Sequence, residues 1–226
     1  RVGRHIAFRL AQSGYNIAIH YRHSQHDANH LVAELTALGV KACAVQADFE
    51  SNFDATALLA NAAKHIGPIH HLINSASVFE RDTLDSLSAE SFHKHQQINL
   101  YAPLAMIQAF QTHCGEHKLA AASVINLGDG IKGWSLSPLF LSYAISKLGL
   151  AHLSELLAAQ LAPTIRINTI ALGLTLVGAQ DNDAMFSRLA AQAPLQQTSS
   201  TEDVCDAGEY VLGARSVTGP TLWLSG

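Results

Sequence analysis

Residues 121–127, Ala-Ala-Ser-Val-Ile-Asn-Leu, and residues 165–171, Ile-Arg-Ile-Asn-Thr-Ile-Ala, are two short, largely apolar runs on either side of a helical stretch at 142–161. Runs of this length suit strands covered on both faces. The same alternation continues outward. Strands are expected at 16–21, 41–46 and 69–74 on one side and at 221–224 on the other. Between them lie helical patterns at 4–13, 25–38, 53–65 and 88–114, the last broken near Pro103. Gly14, Gly39 and Gly67-Pro68 stop three of these helices, and Ser24 stands where it can cap the second. Apolar strands alternating with helices predict one α/β domain over 1–226. Its expected form is a parallel, doubly wound Rossmann-type sheet in a three-layer α/β/α arrangement.

Composition narrows the function classes. With 48% apolar and 14% charged residues, the chain can build a large core and is not of a disordered type. A net charge of −4 supplies no basic footprint for nucleic acid or an anionic membrane. No apolar run approaches the roughly 20 residues that span a bilayer, and Arg1-Val2-Gly3-Arg4-His5 does not read as a signal peptide. Cys43, Cys114 and Cys205 are odd in number and far apart, as expected of reduced thiols in a cytoplasmic protein. The chain has thirteen histidines, but His93 and His95 point to different helix faces and His70-His71 open a strand, so no metal site is expected.

Ligands of doubly wound sheets bind outside the carboxyl ends of the strands. That rule selects Tyr21–Ser24, Asp48, Asn74–Phe79, Leu127–Gly130 and Ala171–Thr175. The least regular stretch, 176–202, holds a short helical pattern at 183–191 and a polar run at 196–203; it is expected to cover the cleft as a lid. Within the helix at 142–161, Tyr143 and Lys147 share a face one turn apart. A phenol, with a pKa of about 10, is a poor proton donor or base near neutrality. A neighbouring ammonium is expected to lower that pKa, and its remaining protons can hold a ribose.

Taken in order, Asn74-Ser75-Ala76-Ser77, Asn99, Ile125-Asn126-Leu127, Tyr143-x-x-x-Lys147 and Arg166-Ile167-Asn168 leading to Gly173 resemble the short-chain dehydrogenase/reductase family along the entire chain. The resemblance implies a nicotinamide cofactor bordered by Asn74, Ser75, Ala76 and Ser77, and by Gly173, Leu174 and Thr175. It puts Asn99 in the catalytic set, holding a relay water, and makes Tyr143 and Lys147 both catalytic and cofactor-binding. Arg1-Val2-Gly3 matches the tail of the family's glycine-rich TGxxxRxG loop, with Arg1 and Gly3 against the cofactor; the family's first strand lies before that point. Leu172-Gly173 replaces the family's usual Pro-Gly, and Leu224-Ser225-Gly226 resembles the beginning of its C-terminal Gly-Gly segment. The family also implies a homotetramer, for which Leu148, Leu150, Leu153, Leu156 and Leu157 offer an apolar face that suits burial against sheet or partner.

The end of the strand at 16–21 bears on cofactor choice. An acid there would prefer NAD, and a basic residue accommodates the NADP 2′-phosphate. The sequence has His20-Tyr21-Arg22-His23-Ser24, with Arg22 fit for a bidentate phosphate contact and Ser24 for a hydrogen bond, so NADP(H) is expected. By resemblance, Asp48 reaches the adenine amino group, with Phe49 beside it.

The family's usual catalytic serine is absent. Gly128-Asp129-Gly130 stands in its region, and Ser135 and Ser137 lie too near the helix to replace it. Aspartate at this place resembles the pteridine reductase branch, including dihydromonapterin reductases. His20-Tyr21-x-x-Ser24, Asn74–Phe79 and Gly173-Leu174-Thr175 resemble motifs of the same branch. Reducing a pterin C=N bond needs hydride at carbon and a proton at ring nitrogen, which Asp129 with Tyr143 can supply. Phe79 can offer its π-face to the planar ring, and Ser77, Asp129 and Tyr143 border the substrate. The plainer alternatives are core packing for Phe79 and a Gly-Asp-Gly turn for Asp129. Two other functions compete: a carbonyl reductase, for example of 3-oxoacyl groups, and a non-catalytic NADP(H) sensor.

Overall fold

Strand burial and strand order explain each other. In the computed structural model, which describes residues 1–130, 139–176 and 183–226, β4 (Ala122–Asp129) and β5 (Ile165–Leu172) are buried almost from end to end. They pair in parallel over eight residues, from Ala122 with Ile165 to Asp129 with Leu172. Neighbouring residues on them face opposite layers. Val124 and Ile167 join a core with Leu58, Leu59, Ile107 and Phe110, whereas Ile125, Leu127 and Ile170 join one with Ile6, Leu10, Val204 and Val211. Helices α3 (Ala55–Ile66), α5 (Ala102–Glu116) and α6 (Leu141–Leu161) cover the first face; α1 (Val2–Gln12) and α8 (Thr201–Gly213) cover the second. That is the expected three-layer α/β/α arrangement.

The sheet comes in two parts. β1 (Ile17–Tyr21) pairs with β2 (Ala42–Gln46), and β3 (His71–Asn74) begins the order β3-β4-β5-β6, with β6 at Thr221–Leu224; every pairing is parallel. β1 and β3 are not hydrogen-bonded to each other, and both line one cleft. The carboxyl ends of β1, β3, β4 and β5 thus open onto the same space.

Local signals set the helix limits. Asp54 and Ser88 cap α3 and α4 (Ala89–Gln96) through their side chains. Gly14, Gly39 and Gly67 follow helices at φ +87, +91 and +89, where a Cβ would be strained. Ser24 stands at the N-cap of α2 (Gln25–Ala37) but makes no capping hydrogen bond, contrary to expectation; its φ/ψ of −81/61 lies outside the usual extended N-cap region. The break expected near Pro103 falls just before it, as a π-helical turn at Gln97–Tyr101 that contains Asn99. The short helix expected at 183–191 is α7 (Asp183–Ala190). The five leucines of α6 do not share one face: Leu150 is in the core, while Leu148 and Leu156 are exposed.

Candidate active site

One end of the cleft is built by β4 and α6. Asp129 is the last residue of β4, and Tyr143 lies in the first turn of α6. The Tyr143 hydroxyl donates to Asp129 Oδ2 at 2.5 Å. Lys147, one turn on, donates through Nζ to the Leu127 carbonyl at 2.9 Å and stands 5.9 Å from the centre of the Tyr143 ring. All three side chains line the cleft. Asp129 is therefore more than the middle of a Gly-Asp-Gly turn. Glycine on each side has a steric reason: a Cβ on Gly128 would come within 2.7 Å of Thr169 Cγ2, and one on Gly130 within 3.0 Å of the Leu172 carbonyl.

The electrostatics differ from the expectation that Lys147 lowers the tyrosine pKa. Burial, then the charge of Asp129 and the hydrogen bond to it, push the Tyr143 pKa well above its ordinary value. The lysine ammonium turns to a backbone carbonyl instead of the phenol oxygen. Burial also pulls Lys147 down to about 8, a fall that the Asp129 charge opposes. Tyr143 is thus held as a neutral phenol that donates to a carboxylate, beside a lysine that can lose its proton near neutrality.

Behind this group runs a polar scaffold. Asn99 is fully buried, and its side-chain oxygen accepts from Ser77 Oγ at 3.1 Å and from the Val78 N–H at 2.8 Å. Its amide nitrogen donates to the Val78 carbonyl and to Ser146 Oγ, each at 3.0 Å. The amide expected to hold a relay water therefore has its capacity filled by protein groups, and it clamps the Ser77-Val78 segment to α6. Asn74 donates to Asn126 Oδ1 at 2.7 Å, and Asn126 in turn donates to Ser154 Oγ at 2.8 Å. That buried chain ties β3 to β4 and α6. Sequence reading singled out Asn99 and Asn74 but missed Ser146 and Ser154, whose i+3 and i+11 spacing from Tyr143 on a long helix was the available signal.

Phe79 is 50% exposed, which sets aside the core-packing alternative. Its ring stacks on Phe140 at 4.3 Å and meets Tyr143 edge-on at 4.7 Å. Leu176, Phe186 and Leu189 also line the cleft. Part of the expected lid, 177–182, lies outside the described residues, as do Ser135 and Ser137. The end of that stretch is anchored: Ser199 donates its N–H to the Leu174 carbonyl and its hydroxyl to the Leu224 carbonyl, each at 2.9 Å. Ser200 and Asp203 then form a capping box for α8. A Cβ on Gly173 would meet the Leu224 carbonyl oxygen at 2.3 Å, so only glycine fits there. Thr175 turns its hydroxyl back to the Gly173 carbonyl at 3.1 Å.

At the other end, Arg1, Gly3, His20, Tyr21, Ser24, Phe49 and Asn74–Ser77 line the same cleft. The N-terminus of α1 opens into it, and a Cβ on Gly3 would stand 3.2 Å from Ser75 Oγ. The N–H groups of a helix N-terminus beside a glycine can cradle phosphate. His20 stacks flat on Phe49 at 4.1 Å and is bonded to the Ala47 carbonyl at 2.8 Å; burial lowers its pKa. Arg22, His23 and Asp48 do not line the cleft. Arg22 pairs with Asp48 at 2.8 Å and with Glu50 at 2.6 Å. Arg22 and Asp48, expected at the 2′-phosphate and the adenine, meet each other in this surface cluster at the ends of β1 and β2. Among the described residues, no three His, Cys, Asp or Glu side chains converge as a metal site would need, and no helix is long and apolar enough to cross a membrane.

Comparison with known proteins adds independent findings. A family model described as "Enoyl-(Acyl carrier protein) reductase" matches residues 2–226. Among solved structures, the alternative dihydrofolate reductase 1 of Brucella canis in complex with NADP superposes with a TM-score of 0.93 at 32% identity, covering 100% of this chain and 88% of that one. An uncharacterized oxidoreductase of Methylorubrum extorquens is 29% identical over 100% of this chain and 92% of its own length. The 3-oxoacyl-[acyl-carrier-protein] reductase of Staphylococcus aureus is 26% identical over 100% of this chain and 92% of its own.

Proposed function

Because the chain belongs to the short-chain dehydrogenase/reductase family, we propose that it is an NADPH-dependent reductase of a pteridine, taking a dihydropterin or dihydrofolate to the tetrahydro form. The observation that carries this reading is the 2.5 Å hydrogen bond from Tyr143 to Asp129, with the half-exposed Phe79 ring against the same tyrosine. The NADP-bound dihydrofolate reductase among the similar structures supports the same substrate class.

The cradle at Arg1–Gly3, the Ser75–Ser77 wall and Lys147 fit a dinucleotide. Bound there, reduced nicotinamide supplies a hydride. Lys147 uses one ammonium proton on the Leu127 carbonyl and directs others to the ribose. Phe79 offers a π-face to a planar heterocycle. Tyr143 gives its proton to the ring nitrogen of the C=N bond as hydride reaches the carbon, and Asp129 returns a proton to Tyr143 from solvent. Burial and the Asp129 carboxylate both keep Tyr143 protonated, so its proton is still in place when the ring nitrogen takes it, and Asp129 serves to reload it. An ionised Asp129 would repel the oxyanion that forms when a ketone is reduced. Leu176, Phe186 and Leu189, which line the cleft, cover the substrate, and the exposed Leu148 and Leu156 of α6 support assembly as a homotetramer.

A second reading, reduction of a 3-oxoacyl thioester, is favoured by the staphylococcal relative. NADPH oxidation with dihydrobiopterin, dihydromonapterin, dihydrofolate and an acetoacetyl thioester separates the two. We expect turnover of at least one dihydropterin or dihydrofolate. Turnover of the thioester alone excludes the pteridine reading, and tight NADPH binding with no turnover indicates a sensor.

The shifted lysine gives a pH test. Lys147 is charged below about 8 and neutral above it. The charge that orients the ribose is therefore lost as pH rises through that value. In the free enzyme, kcat/KM is expected to fall on the alkaline side with a midpoint near 8. A profile flat to pH 10 contradicts this.

A further inference from the structure

The helix that carries Tyr143 and Lys147 starts without a cap of its own: Phe140 stands at its N-cap position and makes no side-chain capping bond. Asp82, far away in the chain, supplies two acceptors. Its carbonyl accepts the Leu141 N–H at 3.1 Å, and its Oδ1 accepts the Ser142 N–H at 3.0 Å. These are orphan donors of the first turn, directly before Tyr143. Oδ2 accepts from Ser91 Oγ at 2.9 Å in α4, and the Asp82 N–H donates to the Leu139 carbonyl at 3.0 Å. Asp82 is buried, at 3% exposure. Burial works against its charge, but the hydrogen bonds from Ser142 and Ser91 outweigh it and hold the carboxyl below its ordinary pKa. A carboxylate here also faces the positive end of the α6 dipole.

Buried His95 fixes the same segment from behind. Its Nδ1 is bonded to the Ser91 carbonyl at 2.8 Å, its Nε2 accepts the Glu80 N–H at 3.3 Å, and its ring lies edge-on to Tyr143 at 6.5 Å. Residues 79–82 therefore connect the Phe79 ring to the first turn of the catalytic helix.

We infer that Asp82 is a positioning residue of the reaction: by capping α6 from another part of the chain, it sets the Tyr143 hydroxyl against Asp129 and couples that register to the loop bearing Phe79. The inference rests on Tyr143 as proton donor. Displacement of a reacting group by about 1 Å can cost up to 10²-fold in rate. Asp82→Ala is expected to lower kcat by about tenfold or more per folded enzyme, with the Kd for NADPH within about twofold, since the cradle lies elsewhere. Asp82→Asn keeps an acceptor for Ser142 and is expected to recover most of kcat. Amide hydrogen exchange at residues 141–143, measured without substrate, should quicken in Asp82→Ala and stay near wild type in Asp82→Asn. Should Asp82→Ala fail to fold, Asp82→Ser, whose hydroxyl is one bond shorter, replaces it with the same expected order. Tyr143→Phe is assayed alongside. If Tyr143→Phe loses turnover while Asp82→Ala keeps it, Asp82 is not a positioning residue. If kcat and NADPH affinity fall together in both Ala and Asn variants, its role is structural only and the inference is overturned. If Tyr143→Phe itself turns over, the proton-donor reading fails, and unchanged exchange at 141–143 then overturns the cap as well.

Discussion

Asp129→Ala lowers turnover of a dihydropterin by about 10²–10³-fold while NADPH binding stays within about threefold; the expected size is that of a lost general acid or base. Asp129 closes β4 and accepts the hydrogen bond of the Tyr143 hydroxyl. Without it, the phenol is buried with its acceptor removed, which costs about 1–3 kcal/mol. Asp129→Asn separates the two losses. The amide can still accept the phenol hydrogen bond, yet it cannot hold or pass on a proton. Its turnover should therefore stay near that of the alanine variant, while its thermal stability returns toward wild type. Removing the carboxylate also removes the charge that props up Lys147, so the alkaline limb of kcat/KM should move below its wild-type position. Turnover of the asparagine variant within about threefold of wild type would reduce Asp129 to a turn residue.

Tyr143→Phe has an expected effect of the same order, about 10²–10⁴-fold on kcat. The substitution keeps the ring that packs against Phe79 and His95 and deletes only the hydroxyl. NADPH affinity should barely move, because Lys147 keeps its own bond to the Leu127 carbonyl. The more telling result is the double variant. Two groups that pass one proton act as a unit, so Asp129→Ala with Tyr143→Phe should be no more than a few-fold worse than the poorer single variant. Losses that multiply would show that the two side chains serve separate steps.

Much of this site could be read from the chain, and the parts that could not share a cause. The six strands among the described residues fall on short, largely apolar runs, most clearly β4 and β5, which are covered on both faces. Tyr143, Lys147 and Asp129 were legible because chemistry restricts residue type and spacing more sharply than packing does. Helix α8 was overlooked behind a polar run, although Ser200-x-x-Asp203 followed by Val204, Ala207, Val211 and Leu212 carries both a capping box and helical spacing. Arg22 and Asp48 each read as a ligand contact in the sequence, and what the sequence does not display is that they also pair with each other. Their ion pair joins the ends of two neighbouring strands, and pairing of that kind belongs to the tertiary fold. The sign of the Tyr143 shift was missed for a similar reason. Helical spacing puts Lys147 on the same face, but burial and the direction of the ammonium decide what it does. Asp82 leaves no mark in the sequence, since a cap supplied from elsewhere in the chain has no local pattern.

The central claim is that hydride passes to a pterin carbon, and isotope transfer tests it most directly. The protein is incubated with NADPH deuterated at the transferable position, a dihydropterin and an acetoacetyl thioester in competition, and both products are analysed by mass spectrometry. The proposed function predicts one deuterium on a ring carbon of the tetrahydropterin and little label in the hydroxyacyl thioester. Label confined to the thioester, with unlabelled pterin recovered, would contradict it.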